Sequence, residues 1–237
     1  MTLNVLEDMR EVRAARARLK ELNLAIAAPH LLQRLQRLVG SKALPVGDRL
    51  KSWDLLRSYN FIQQNLQKAD TVFDHGCFCS EILPILHQAG FENLVGADLN
   101  PRVIDMPYSD AISYRTEDFM HSGLANESVN AITSVSVMEH GYDEECLLTE
   151  VSRLLKPGGY YLSSFDYWPD KLDTSAVQFF DLSWTIFSRQ DLESLLKRAE
   201  DFGLRPVGEL NFAAAKAPIS CAGFAYTFAW LALQKSK

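Results

Sequence analysis

From Asp70 onward the chain alternates short apolar segments with amphipathic ones, and this alternation constrains its fold more than any other feature. Residues 71–73, 93–97, 112–114, 129–135 and 160–165 read as strands. Residues 81–89 read as a helix ended by Gly90, and residues 144–155 as a second helix stopped at Lys156-Pro157-Gly158-Gly159. Ser188 is placed to cap a third helix running to Phe202, with Gly203 behind it. Strands near 206–212 and 224–233 close the chain. Strands that alternate with helices of this length predict an α/β fold, a mainly parallel sheet with helices on both faces.

The composition agrees with one sizeable core. Of 237 residues, 47% are hydrophobic and 23% charged, which excludes intrinsic disorder, a fibrous repeat and a disulfide-stapled miniprotein. The longest apolar-leaning run, 224–233, is far short of the roughly 20 residues of a membrane span. Glu7, Asp8 and Glu11 stand where a secretory signal would carry its apolar region, so a cytoplasmic protein without a membrane partner is expected. Four cysteines are sparse for this length and are expected reduced. Cys77 and Cys79 form a C-x-C pair that His75 and His87 do not extend into a finger-like pattern, so no metal is expected.

Charge divides the chain. Residues 1–57 carry 11 Lys+Arg against 6 Asp+Glu, whereas the other 180 carry 13 against 24. The acidic larger part is a poor nucleic-acid binder, because phosphate contacts require clustered cations. In the basic part, Val5, Met9, Val12, Leu19, Leu22, Ile26, Leu31, Leu35 and Leu38 fall at helical spacings opposite Arg10, Arg13, Arg16, Arg18 and Lys20. Two helices broken near Ala28-Pro29 are expected, then loop at Gly40-Ser41 and Pro45-Val46-Gly47. A helix capped by Asp48 follows, running through Trp53, Leu56 and Phe61. We place a helical extension at 1–58 and the main domain at 59–237. The extension is a lid, a homodimer surface or a substrate contact; its arginines either meet an anionic group or form a solvated face.

In a parallel sheet, ligands bind beyond the C-terminal strand ends, where the first strand turns into its helix. That turn is Asp74-His75-Gly76-Cys77-Phe78-Cys79-Ser80-Glu81. Gly76 leaves the backbone open to a ligand, and Ser80 is placed to cap the helix. Asp98 ends the second strand 24 residues after Asp74, where a carboxylate accepts hydrogen bonds from a ribose diol. Asp118 follows the third strand, within reach of an adenine amino group. Asp74 and Asp98 also suit turns and caps when taken singly.

Together with Ser134-Val135-Ser136-Val137-Met138-Glu139-His140 and Leu154-Leu155-Lys156-Pro157-Gly158-Gly159, these loops make residues 60–235 resemble a class I S-adenosylmethionine-dependent methyltransferase. The resemblance implies a Rossmann-like fold with a seven-stranded, mainly parallel sheet. It also implies S-adenosyl-L-methionine as cofactor and S-adenosyl-L-homocysteine as product. By that resemblance Asp74, Gly76 and Cys77 line the methionine end, Asp98 and Leu99 the ribose, Asp118 and Phe119 the adenine, and Val135 and Ser136 the amino-acid end. Phe78 and Cys79 depart from the further glycines of the usual first motif, which marks a subfamily.

Methyl transfer from a sulfonium is an in-line displacement, so the protein mainly aligns acceptor, methyl and sulfur. An oxygen acceptor also needs a base. His140, just past the fourth strand, and Asp166, directly after the fifth, are the candidates; a purely structural Glu139-His140 is the competing role. The segment 165–187 holds 7 of the 25 aromatics, including Tyr167, Trp168 and Trp184, and with Asp170 it reads as a substrate-facing lid or as a hydrophobic minicore. The expected activity is O-methylation of a sugar, nucleotide-sugar or natural-product hydroxyl, with a small-molecule acceptor as partner. The alternatives are an N- or C-methyltransferase and a non-catalytic cofactor-binding protein. A nicotinamide oxidoreductase would want a G-x-G-x-x-G turn, which is missing here.

Overall fold

The computed structural model describes residues 3–26, 44 and 46–237. The helical spacing at Leu31, Leu35 and Leu38, the break near Ala28-Pro29, the loop at Gly40-Ser41 and Pro45 lie outside the described residues.

Nine strands form one sheet, built outward from β2 (Thr71–His75). On one side of it lie β3 (Asn93–Asp98) and β4 (Ser113–Thr116), all parallel. On the other side lie β5 (Val129–Val135) and β6 (Leu155–Tyr167), also parallel. Beyond β6 the last strand, β11 (Phe224–Lys235), runs antiparallel. Three short strands pair with it: β1 (Leu3–Val5), β9 (Leu204–Pro206) and β10 (Ile219–Cys221). The two strands beyond the expected seven are β1 and β10. A separate hairpin, β7 (Gln178–Phe179) with β8 (Leu182–Ser183), sits in the aromatic segment.

Helices cover both faces, and strand alternation assigns the faces. Val72, Ala131, Leu162, Phe228 and Trp230 point to the layer of α1 (Met9–Glu21), α2 (Ser52–Asn65) and α3 (Ile82–Gln88). Phe73, Ile132, Phe165, Ala229 and Leu231 point to the layer of α4 (Glu144–Leu154) and α5 (Arg189–Asp201). Local sequence sets the helix ends. Ser188 and Asp191 form a reciprocal capping box on α5, Asp8 and Glu11 do the same for α1, and Asp48 caps the turn 49–51 that leads into α2.

Four expectations are corrected. Val5 is not helical: Leu3–Val5 joins the sheet edge through Leu3↔Leu231 and Val5↔Ala229, and Asp8 delays the helix to Met9. The boundary at 58 falls inside α2, whose Ser58 Oγ accepts a hydrogen bond of 3.0 Å from Trp230 Nε1, so the first residues share the core of the sheet. Lys156-Pro157-Gly158-Gly159 belongs to β6 rather than to a separate turn, with a register shift opposite Val129 and Ala131. The strand near 206–212 shortens to Leu204–Pro206, because its pairing to β11 stops at Leu233↔Pro206.

Candidate active site

The C-terminal ends of β2, β3 and β5 converge on the loop after β2. Gly76 adopts φ +63°, and a Cβ there would lie 2.6 Å from Val137 Cγ2, so only glycine lets the two loops approach. Phe78 N–H donates to Asp98 Oδ2 at 3.0 Å and Asn100 N–H donates to Asp98 Oδ1 at 2.8 Å, so the carboxylate ties the end of β3 to the loop. Cys77 is buried and packs its sulfur against Gly96; burial pushes its thiol up, away from thiolate chemistry. Cys79 holds φ +62° at a position where the usual motif has glycine, so the departure carries a left-handed non-glycine residue. Leu99 is 62% exposed beside Asp98.

Asp74 lies beneath the loop, buried, with Thr133 Oγ1 donating to Oδ1 at 2.6 Å and no partner on Oδ2. Burial raises its carboxyl to about 7. His75 is fully buried with both ring nitrogens unpartnered, and burial drives it down to about 3. Its neutral ring stacks on Phe119 at 4.7 Å and 22°, which occupies one face of that aromatic. Asp118 caps the turn 119–121 by accepting from Met120 N–H at 2.9 Å, and its other oxygen faces His121 Nδ1 at 3.0 Å. Ser136 sits at φ +57° and donates its N–H to Ser164 O at 2.9 Å, which ties the loop after β5 to β6 near Val135.

The other half of the site lies past β5 and β6. His140 has an unpartnered Nδ1, and its ring meets the edges of Phe179 and Phe180 at 5.9 and 5.7 Å. Burial lowers its pKa, so the free imidazole is the resting form at neutral pH. Asp166 is buried and engaged: Trp184 Nε1 donates to Oδ2 at 2.8 Å, and Lys51 Nζ is 3.9 Å from Oδ1. Trp184 is itself buried, with ring-edge contacts to Phe179, Phe224 and Tyr226 and a backbone bridge to His140. The aromatic segment is therefore a minicore that carries His140, with Phe180 left 84% exposed at its tip.

Tyr167 does not join the site. Side chains alternate along β6, so Tyr167 faces the α4/α5 layer, fully buried, and donates its hydroxyl to Phe212 O at 2.8 Å. Trp168 packs half-buried on the opposite core and Asp170 is exposed. Sequence reasoning passed over Lys51, whose Nζ lies 3.9 Å from Asp166 Oδ1, and the buried carboxyls of Asp54 and Glu139, which the Asp166 charge raises further. Asp54 is fully buried beside Ser164, and burial raises it to about 7; burial and the Asp166 charge raise Glu139 to about 8. The signal for Asp54 was a charged residue on the buried side of an amphipathic helix. Of the basic lead-in, Arg16 turns inward onto Glu81, while Arg13, Lys20 and Arg49 border an outer cavity of about 340 Å³. Among the described residues no group of three or more His, Cys, Asp or Glu is arranged to hold a metal, and no helix is long and apolar enough to cross a membrane.

Strand order and helices on both faces define an α/β protein whose ligand-binding edge carries the glycine turn and the acidic residues Asp98 and Asp118. Residues 73–163 match the family model of a methyltransferase domain. A probable S-adenosylmethionine-dependent methyltransferase of Mycolicibacterium smegmatis is 27% identical over 138 residues, 54% of this chain and 50% of that protein. The chain thus spans about half the length of this curated relative. The fold is shared with geranyl diphosphate C-methyltransferase of Streptomyces coelicolor A3(2) (TM-score 0.56, 17% identity, 81% of this chain and 85% of that one). It is also shared with the [4+2]-cyclase SpnF (TM-score 0.61, 13% identity, 87% and 93%). Residues 73–163 are thus similar to a methyltransferase domain, and the fold is the one found in the class I S-adenosylmethionine-dependent methyltransferase family. The cofactor of that family is S-adenosyl-L-methionine.

Proposed function

We propose that this protein transfers the methyl group of S-adenosyl-L-methionine to a hydroxyl of a small molecule, with His140 as the base. The observation that carries the reading is the meeting at one sheet edge of the Gly76 turn, Asp98 and Asp118 with a neutral imidazole, His140, whose Nδ1 has no partner. In this reading Asp98 faces the ribose, Asp118 and Phe119 the adenine, and the Gly76, Val135 and Ser136 backbone the methionine end.

When bound, the cofactor supplies an electrophilic methyl on a sulfonium. The chain's own part is to align the acceptor, exclude water and hold its proton at the imidazole. Asp166, already engaged by Trp184 and Lys51, is a positioning group that fixes the aromatic segment beside His140 rather than a second base. Of the readings for residues 1–58, substrate contact fits best, because Lys51 of that extension reaches Asp166, the residue directly past the candidate acceptor side of the sheet. Sugar, nucleotide-sugar and natural-product hydroxyls all fit this chemistry.

Calorimetric titration with S-adenosyl-L-homocysteine tests the cofactor assignment. Binding that weakens at least tenfold in Asp98→Ala supports it. A wild-type protein that does not bind, or an Asp98→Ala variant that binds as tightly, overturns it.

A further inference from the structure

Resting on that reading, the hairpin of β7 and β8 identifies the part of the aromatic segment that meets the acceptor. Phe179 pairs with Leu182, so Phe180 and Asp181 form the whole connection, at φ +58° and +63°. Two left-handed residues in a two-residue loop are the pattern of a type I′ turn, which Asn-Gly fills without strain. A bulky side chain at the first of these positions is a backbone outlier with a steric cost. Such outliers persist where the surrounding structure holds them, and they cluster at active sites and ligand clamps.

Here the surroundings do hold it. Gly141 N–H donates to Ser183 O at 2.9 Å, Thr185 N–H donates to Glu139 O at 2.8 Å, and His140 bridges Trp184, so the hairpin is bound along the segment that carries the candidate base. Both phenylalanines make T-shaped contacts with the His140 ring, but they differ in what else they touch. Phe179 is half-buried and also packs on Trp184 at 5.2 Å. Phe180 is 84% exposed, the most exposed large hydrophobic side chain among the described residues, with its ring centroid 5.7 Å from that of His140. Packing of the hairpin thus accounts for Phe179 and not for Phe180. A hydroxyl that gives its proton to His140 lies about 3 Å from the imidazole. The carbon frame bearing that hydroxyl then comes within reach of the Phe180 ring. Phe180 has no hydrogen-bonding group, so it favours a flat apolar ring, which gains from ring-on-ring contact, over a chain of hydroxyls whose hydration it would strip without replacement.

We propose that Phe180 is an acceptor-contact residue: its exposed ring covers the acceptor beside His140 and selects a hydroxyl carried on a flat apolar ring, a phenol, over free sugars and polyols. The buried part of the aromatic segment is then the support, and the strained turn is the part that reads the substrate.

The test uses the full chain and labelled S-adenosyl-L-methionine with three size-matched pools: phenols, free sugars and acyclic polyols. Methyl uptake from the phenol pool is expected. With the responding phenol, a turn variant carrying Phe180→Asn and Asp181→Gly together raises KM at least tenfold while affinity for S-adenosyl-L-homocysteine stays within twofold. Because Asn-Gly suits the turn, the same variant melts about 2 °C or more above wild type, so its higher KM is not a folding defect. Phe180→Tyr, which keeps the ring, holds KM within threefold of wild type. An unchanged KM in the turn variant overturns the inference. Uptake confined to the sugar and polyol pools does so too, as does uptake from none of the three by a protein that binds S-adenosyl-L-homocysteine. A turn variant that melts below wild type makes Phe180 a packing residue of the hairpin and overturns it as well. Failure of the wild type to bind S-adenosyl-L-homocysteine strikes the cofactor assignment, and the inference falls with it.

Discussion

Arg16 of α1 and Glu81, the residue that opens α3 directly after the cofactor loop, form a two-pronged ion pair at 3.0 and 2.6 Å, with side-chain exposures of 9% and 0%. Ser52 Oγ accepts from Arg16 Nε at 2.9 Å, and Ile26 N–H donates to Glu81 Oε1 at 3.0 Å. The pair joins the basic lead-in to the loop that carries Gly76. Removing one partner of a buried pair costs more than replacing both, because the remaining charge keeps its desolvation penalty. Arg16→Met is therefore expected to destabilise the fold by about 3 to 5 kcal/mol, and the double variant Arg16→Met with Glu81→Leu to recover most of that loss. Urea unfolding of wild type, single and double variants measures it; a double variant no more stable than the single one refutes the account.

Gly76→Ala places a methyl group 2.6 Å from Val137 Cγ2 at φ +63°. The expected result is a loss of about 1 to 3 kcal/mol in stability and at least a tenfold weaker grip on S-adenosyl-L-homocysteine. Val137→Ala in the same chain removes the clash but not the backbone strain, so it restores the affinity only in part. Calorimetry on the two variants separates these contributions, and an affinity untouched by Gly76→Ala would remove this loop from the cofactor site.

The elements that were legible in the sequence are those whose signals are local. β5 spans Val129–Val135 as expected from the sequence, and Ser188 and Asp48 cap where their neighbours need acceptors. The Asp98 and Asp118 positions in the fold were legible because Asp98 ends a strand and Asp118 follows one. Other features depend on contacts far apart in the chain. Leu3–Val5 continues a helical spacing and becomes a strand only because β11 offers a free edge. Gly159 looks like a turn residue but stays in β6, where a Cβ would lie 2.9 Å from Asn130 O and from Lys156 O. Asp54 and Lys51 read as the polar start of a helix, and only the packing of α2 against the sheet brings them to Asp166. Tyr167 stands next to Asp166 in sequence, but strand alternation sends it to the opposite face of the sheet.

Asp74 gives the fold a pH dependence whose sign follows from its burial. Its folded pKa, about 7, lies above the unfolded carboxylate value near 3.9, so the folded state holds the extra proton between them. Stability is then lost as pH rises from about 4 to about 7, by up to about 4 kcal/mol from this group. Asp54 and Glu139 act in the same direction up to about 7 and 8, whereas His75, lowered to about 3, adds stability as pH rises from there to about 6.5. Asp74→Asn isolates the first contribution. Its unfolding free energy in urea, relative to wild type, should improve steadily from pH 5 to pH 7, and parallel curves for the two proteins would show that Asp74 is ionised throughout.

His140 carries the proton transfer in the proposed reaction, and its surroundings set where activity fails. Burial and the Lys51 charge both favour the neutral ring, against the opposing pull of Asp166. The acid limb of kcat/KM is therefore expected below 6.5, the ordinary histidine value. His140→Gln should lower kcat by about 10² to 10⁴ with S-adenosyl-L-homocysteine affinity unchanged, the size of a lost general base. Lys51→Met distinguishes this from a structural role. Withdrawing the ammonium lets Asp166 raise the imidazole pKa, so the acid limb moves to higher pH even though no group touching the methyl has changed. The imidazole proton signal of His140, identified by its loss in His140→Gln, should shift its titration midpoint upward in the same variant. A midpoint that stays put when Lys51 is replaced would mean that the ring does not sense this cluster, and His140 would then be a packing residue for Phe179 and Phe180.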